Sequence, residues 1–290
     1  TTEMIEKRPD LMLRAGQKLP VIAWIWARTV KSPNPAFRHV DVPLVSTFVL
    51  SKKTGKESYV DTIIAGDTYR FDVKMGKPPL EATKGTVSRG GAICMMSKAP
   101  IDFKYLRSEA KAGRFGVKLL AIVAEGRSGR IYLPPMQAHI DAAESAYSGV
   151  FTDTEICHWP GRTNVVEYGM TKFLDLFTPR QLCALTVFSE LVAVARERIH
   201  KDAIIASFSE NEEGLNAGSS SAKAYAEAVS VYLSFAVSYA ANYWSTIATP
   251  ADGFIRGTFS RQALPMTWDF AEAPPFGNTS GNWLSGIEWV

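Results

Sequence analysis

Gly257-Thr258-Phe259-Ser260-Arg261-Gln262-Ala263-Leu264-Pro265-Met266-Thr267-Trp268-Asp269-Phe270-Ala271-Glu272, running on to Gly281-Asn282-Trp283, is the stretch from which the rest of the chain is read. It sets core-type aromatic residues beside Arg261, Asp269 and Glu272, which are costly to bury unless they find partners. Two readings are open. One is an ordinary packed helix whose charges are satisfied. The other is a specific wall of a larger domain.

The whole chain bounds the choice. Its 290 residues, 46% hydrophobic, suffice for a sizeable core and two modules. No signal peptide or 18-residue apolar run is present, so the expectation is a soluble, cytoplasmic protein without a membrane partner. Cys94, Cys157 and Cys183 are too far apart to suggest a disulfide framework, which suits a reducing compartment. The chain begins without Met and reads as cut from something longer. Its net charge of +3 hides a split: residues 1–135 hold 23 Lys and Arg against 12 Asp and Glu, whereas residues 136–290 hold 9 against 17. A basic half joined to an acidic half suggests nucleic-acid contact by the former. Mutual neutralisation across an internal interface explains the same numbers.

In the basic half, Val21 to Val30 reads as a strand. Ala23, Ile25, Ala27 and Thr29 fall on one face and Trp24, Trp26 and Arg28 on the other. Leu44–Leu50 is a second strand. The polar turn Ser51-Lys52-Lys53-Thr54-Gly55-Lys56 leads to a returning strand at Glu57–Ile64, and Thr68–Val73 follows, giving a small antiparallel sheet. Tyr105–Ala112 is a short helix stopped by Gly113. Val117–Glu125 and Arg130–Leu133 are strands around the turn Gly126-Arg127-Ser128-Gly129, and Pro134-Pro135 closes the module.

From Met136 the pattern turns helical. In the irregular residues 149–170, Cys157-His158 invites a metal or nucleophile reading. Adjacent residues rarely converge on one point, and no second ligand pair lies nearby. Thr178-Pro179-Arg180-Gln181 is a helix start with a cap, a first-turn proline and a capping box. Leu182, Leu185, Ser189, Val192, Arg196 and Ile199 follow at helical spacing on a helix apolar enough to be sandwiched. After a Gly/Ser/Asn/Glu loop, a second helix spans about Ala222 to Ser245. Its stripe of Tyr225, Val229, Tyr232, Ala236, Tyr239 and Tyr243 is expected to be core and to face the first helix.

The Arg-Gln-Ala-Leu-Pro-Met-Thr-Trp-Asp-Phe-Ala-Glu run at 261–272 resembles a segment of the large bacterial and archaeal adenine-specific DNA methylases that contain a zinc-ribbon region. Lys111-Ala112-Gly113-Arg114, Val123-Ala124-Glu125-Gly126, Tyr168-Gly169-Met170-Thr171, Asp175–Gln181 and Tyr225–Val229 extend the likeness from about Val21 to the C-terminus. The resemblance implies an S-adenosylmethionine-dependent parent enzyme and a ribbon holding one zinc through four thiolates. At those four positions stand Ser32, Phe37, Cys94 and Ser97, so the ribbon is expected to be degenerate and metal-free, filled by Phe37, Ile93 and Met95. The cofactor turn, Phe-x-Gly-x-Gly, is absent. The only Pro-Pro-aromatic corner, Ala273-Pro274-Pro275-Phe276, has an alanine that cannot accept from a target amine and reads as a look-alike, because the family's own catalytic corner is expected further on. Neither catalysis nor cofactor binding is therefore expected of this chain alone.

The fold expected is α+β. A basic, β-rich, degenerate-ribbon module at 1–135 precedes a helical region at 136–250 with a long antiparallel helix pair. Residues 251–290 lead back into the methyltransferase core. The function expected is the central, target-recognition-like part of an adenine-specific DNA methyltransferase, with DNA and the rest of the methyltransferase domain as partners. Lys52, Lys53, Lys56, Arg89, Lys98, Lys104, Arg107, Lys111 and Arg114 are the DNA-binding candidates, mainly for phosphates. The alternative is a stand-alone, non-catalytic nucleic-acid-binding or structural interaction module.

Overall fold

The computed structural model describes residues 16–127, 129–145 and 153–290. It runs β1 (Val21–Lys31), β2 (Asp41–Leu44), β3 (Val49–Ser51), β4 (Ser58–Ala65), β5 (Thr68–Met75), α1 (Leu80–Lys84), β6 (Val87–Ser88), β7 (Gly91–Ile93) and β8 (Pro100–Ile101). Then come α2 (Phe103–Lys111), β9 (Gly116–Gly126), β10 (Gly129–Leu133), α3 (Gln137–Glu144), α4 (Pro179–Ile205) and α5 (Ala222–Tyr243). β11 (Thr249–Ala251), β12 (Phe254–Arg256), β13 (Asp269–Glu272) and α6 (Trp283–Trp289) complete it. The chain is α+β, with antiparallel sheets and several helices. No described helix is long and apolar enough to cross a membrane.

β1 is the axis of the main sheet, ordered β10-β9-β1-β13. On its other edge, β13 lies opposite Trp24–Ala27 and β2 opposite Arg28–Lys31. The alternation along β1 is therefore an inside-inside pattern. Ala23, Ile25 and Ala27 meet Val45, Phe48, Val60 and Phe71 on one side, while Trp26 joins Leu119, Ile122, Leu133 and Phe270 on the other. A strand flanked on both edges and covered on both faces leaves little water at its residues, and Ala27 and Val30 are wholly buried.

Three expectations are corrected. Leu44–Leu50 is not one strand: it is divided between β2 in the main sheet and β3 in the β3-β4-β5 sheet. Between them the Val45 carbonyl accepts from the amides of Thr86 and Val87 (2.8 and 2.9 Å), and the Phe48 amide donates to Ala82 (2.8 Å). These bonds take the backbone out of any single ladder. The close approach depends on Gly85, at φ +62°, where a Cβ would stand 2.4 Å from the Val45 oxygen.

Residues 257–272 are not a helix either. Only Asp269–Glu272 is regular, as β13. The Leu264 amide donates to Arg162 (2.7 Å), its carbonyl accepts from Val165 (3.3 Å), and the Thr258 amide donates to Asn242 (2.7 Å). With backbone groups committed to distant partners, and with Pro265 lacking an amide hydrogen, no i→i−4 ladder forms.

The third correction concerns α4 and α5. The cap of α4 is as read: Thr178 Oγ1 accepts from the Gln181 amide (3.2 Å), and Gln181 Oε1 accepts from the Thr178 amide (2.8 Å). Phe188 lies 5.4 Å from Trp244 and Phe208 lies 5.0 Å from Tyr225, so the two helices run antiparallel. Yet α4 is not sandwiched, because Val187, Leu191 and Val194 are exposed. On α5 the buried residues are alanines, Ala222, Ala224, Ala226, Ala236 and Ala240. Tyr225 and Tyr232 of the expected core stripe face outward, while Tyr239 stacks on Trp289 of α6 at 5.4 Å.

Candidate functional site

Ser32 and Ser97 meet at Cys94. β7 and β8 are joined by a turn in which the Cys94 amide donates to Ala99 (2.9 Å) and the Lys98 amide donates to Cys94 (2.8 Å). Lys98 adopts φ +59° to close it. The Cys94 thiol is fully buried, and the Ser97 amide reaches it at 3.5 Å. Burial alone would push this thiol up. Hydrogen bonds from the Ser32 and Ser97 side chains, with the Ser97 and Met96 amides, outweigh burial and hold it below its usual range. Ser32 is itself buried, and Phe37 packs against the core cluster that contains Cys94.

The expected filling by Ile93 and Met95 is corrected. Ile93 is half exposed, and Met95 belongs to the separate core between the two sheets. One thiol, two hydroxyls and a phenyl ring do not fit a tetrahedral zinc. Among the described residues no group of three or more His, Cys, Asp or Glu is placed to hold a metal ion. Cys157 and His158 are both exposed, and the Cys157 carbonyl accepts from Thr163 Oγ1 (2.9 Å) in a local turn.

The basic candidates divide into groups. Lys52 and Lys53 are exposed on the β3–β4 turn, which also carries Lys56. A Cβ at Gly129 would stand 3.5 Å from Lys56 Nζ, so this turn abuts the β9–β10 turn with Arg127 and Arg130. Arg127 and Arg130 were missed in the sequence, although 126–130 is the same kind of glycine-bearing cationic turn as 51–56. Arg89 and Lys98 are exposed on the turns of the β6-β7-β8 sheet, and Lys104 and Lys111 on α2. Among the described residues Lys52, Lys53, Arg89, Lys98, Lys104 and Lys111 form no ion pair. Arg107 and Arg114 differ. Arg107 pairs with Glu167 at 2.9 Å and lies over the Tyr168 ring, and Arg114 grips Glu109 with two bonds of 2.8 and 2.7 Å. Their guanidinium groups already have carboxylate partners.

β13 and its neighbours hold the charges that opened the question. Arg261 is exposed. Glu272 is buried and takes two bonds from Arg180, at 2.8 and 2.7 Å, and the Arg180 guanidinium lies 4.9 Å from the centre of Trp26. Arg28, also buried, has no carboxylate partner among the described residues. It donates to the Thr267 carbonyl (3.0 Å) and to Thr246 Oγ1 (2.9 Å), and burial lowers its pKa to about 10. Beside Trp24, Trp26, Arg180 and Glu272 lies a cavity of about 440 Å³ bordered by α3. Trp24 Nε1 donates to His139 Nδ1 (2.8 Å), which places the imidazole proton on Nε2, and burial lowers the pKa of this histidine.

Asp269 has no cation partner among the described residues. Burial pushes its carboxyl up to about 6, against hydrogen bonds from the Ser46 amide and its own. It lines a second cavity, of about 200 Å³, whose mouth carries Lys52 and Asp252.

The Ala273-Pro274-Pro275-Phe276 corner is a turn into α6. The Pro275 carbonyl accepts from the Trp283 amide (2.8 Å), and Phe276 is exposed while packing on Phe188 at 5.7 Å. It offers no side-chain acceptor for an amine. With no glycine-rich cofactor turn in the sequence, these residues do not fit S-adenosylmethionine. Comparison with known proteins finds no matching family model, no matching curated protein and no matching solved structure.

Proposed function

We propose that this chain is the central, target-recognition-like part of an adenine-specific DNA methyltransferase. In this reading it contacts DNA with its basic half and leaves cofactor binding and methyl transfer to other parts of the enzyme. The observation that carries the DNA contact is the cationic edge formed where the Lys52–Lys56 turn abuts the Arg127–Arg130 turn. Two cationic turns side by side, with Lys52 and Lys53 exposed and without carboxylate partners, suit a row of phosphates. The meeting of Ser32, Cys94 and Ser97 supports the ribbon part of the resemblance. Positions far apart in sequence converge there on one buried thiol, and hydrogen bonds take the place of metal bonds.

The alternative, a non-catalytic structural module, is favoured by the Arg107–Glu167 pair, which joins the basic half to the acidic one. A titration of duplex DNA against salt separates the two. If the edge meets phosphates, the log–log slope falls by roughly 0.9 for each one neutralised. The Lys52→Ala, Lys53→Ala, Lys56→Ala triple variant then binds with a shallower slope and an unchanged circular dichroism spectrum. Binding indifferent to salt and to the triple substitution overturns the proposal.

A further inference from the structure

We infer that the cavity beside Asp269 receives one nucleobase that carries an exocyclic amine, and that the Asp269 carboxylate accepts from that N–H. The inference rests on the DNA contact proposed above and gives that contact a specificity residue.

The cavity lies between the main sheet and the β3–β4 hairpin, with Pro250 and Ala251 of β11 on its wall. Ile25 and Leu120 of the main sheet, with Phe48 and Val60 from the second, supply apolar walls. At about 200 Å³ it is smaller than the roughly 300–1,000 Å³ of sites for drug-sized ligands, which restricts it to a single small group. Asp269 is the polar group set among these walls. β13 holds it in place by pairing Asp269 with Ala27.

The carboxyl is satisfied only by backbone amides, and no lysine, arginine or histidine among the described residues forms an ion pair with it. A largely buried carboxylate of this kind has unused acceptor capacity and a strong preference for an N–H donor. A carboxylate accepting from an exocyclic amine is an established mode of base recognition. Thymine has no exocyclic amine: its ring N3–H lies between two carbonyl oxygens, which would face the carboxylate with like partial charge.

Location argues for a nucleotide source. Lys52 belongs both to the mouth of the cavity and to the cationic turn. A strand whose phosphates lie along Lys52 and Lys53 would bring an unstacked base to the same opening. Bases taken out of the stack are read in this way, by apolar walls and hydrogen bonds to their edges. The second carboxylate at the mouth, Asp252, disfavours phosphate entry and leaves the phosphates on the turn outside.

Two arms test the inference on the full chain. In the first, saturation-transfer NMR is recorded with deoxyadenosine, deoxycytidine and thymidine. Transfer to the first two, weaker for thymidine and lost in Asp269→Leu, which removes both side-chain acceptor oxygens, is expected. Equal transfer to all three, or transfer that survives the substitution, overturns the inference. In the second, short oligo(dA), oligo(dC) and oligo(dT) are titrated at several salt concentrations. The first two should bind roughly tenfold more tightly than oligo(dT). Asp269→Leu should abolish that ratio without altering the salt slope, whereas the triple lysine variant should weaken all three alike.

Salt-dependent binding without base preference removes the cavity inference and leaves the DNA contact standing. Asp269-dependent nucleoside binding without oligonucleotide binding does the reverse. A denaturation curve for the variant guards against misfolding as the cause of any loss.

Discussion

Replacing Asp269 with Asn should make the protein more stable at pH 8, and the gain should fade as the pH is lowered. Burial lifts this carboxyl from 3.8 to about 6 because ionisation there forfeits hydration that no cation replaces. Each pKa unit is worth about 1.36 kcal/mol, so the ionised side chain costs the fold about 3 kcal/mol. An acid whose folded value exceeds its unfolded value binds more protons when folded, so its contribution to stability falls as the pH rises. The penalty is complete above about pH 6, shrinks between pH 6 and 4, and is absent below the unfolded value. Asparagine keeps one oxygen for the Ser46 amide and removes the charge. Asp252 and Lys52, which line the same cavity, stay in place in both proteins.

The assay is urea denaturation of wild type and Asp269→Asn at half-unit steps from pH 8 to 4.5. A difference of about 1–3 kcal/mol in favour of the variant at pH 8, closing toward pH 4.5, is the expected result. A variant less stable at pH 8, or a difference that ignores pH, would refute the reasoning. A residue that costs stability while lining a cavity is the trade-off expected of a binding group.

Other predictions follow from the same structure. Arg180→Ala strands the buried Glu272 carboxylate and should cost about 3–5 kcal/mol, whereas Arg107→Ala, which breaks the exposed pair with Glu167, should cost less than about 1 kcal/mol. Equal losses in denaturant titrations would show that burial is not what separates the two pairs. Thr178→Ala removes the side-chain half of the α4 capping box and should lower stability by about 1 kcal/mol, read as a shift in urea midpoint with unchanged slope. Elemental analysis should find no stoichiometric zinc in the wild type and one per chain in the Ser32→Cys, Phe37→Cys, Ser97→Cys variant, which adds three thiols to that of Cys94. Zinc in the wild type would defeat the degenerate-ribbon reading.

Local order was legible in the residues themselves. β1 announced itself by its apolar density, α4 by Thr178, Pro179 and Gln181, and the end of α2 by Gly113, at φ +68°. In each case the determining interactions lie within a few residues, as cap bonds or backbone preferences, and need no knowledge of the rest of the fold.

Tertiary structure decided everything that depends on a distant partner. It divided 44–50 between two sheets through the amides of Thr86, Val87 and Phe48, and it drew 269–272 into the main sheet beside β1. It buried alanines on α5 where aromatic residues had been expected. It also gave the two carboxylates of β13 opposite fates, Glu272 bonded to Arg180 and Asp269, beside a cavity, without a cation partner among the described residues. Sequence spacing carries the cost of burying a charge, but whether that cost is offset depends on which side chain the fold brings within about 3 Å, and at Asp269 it brings only backbone amides.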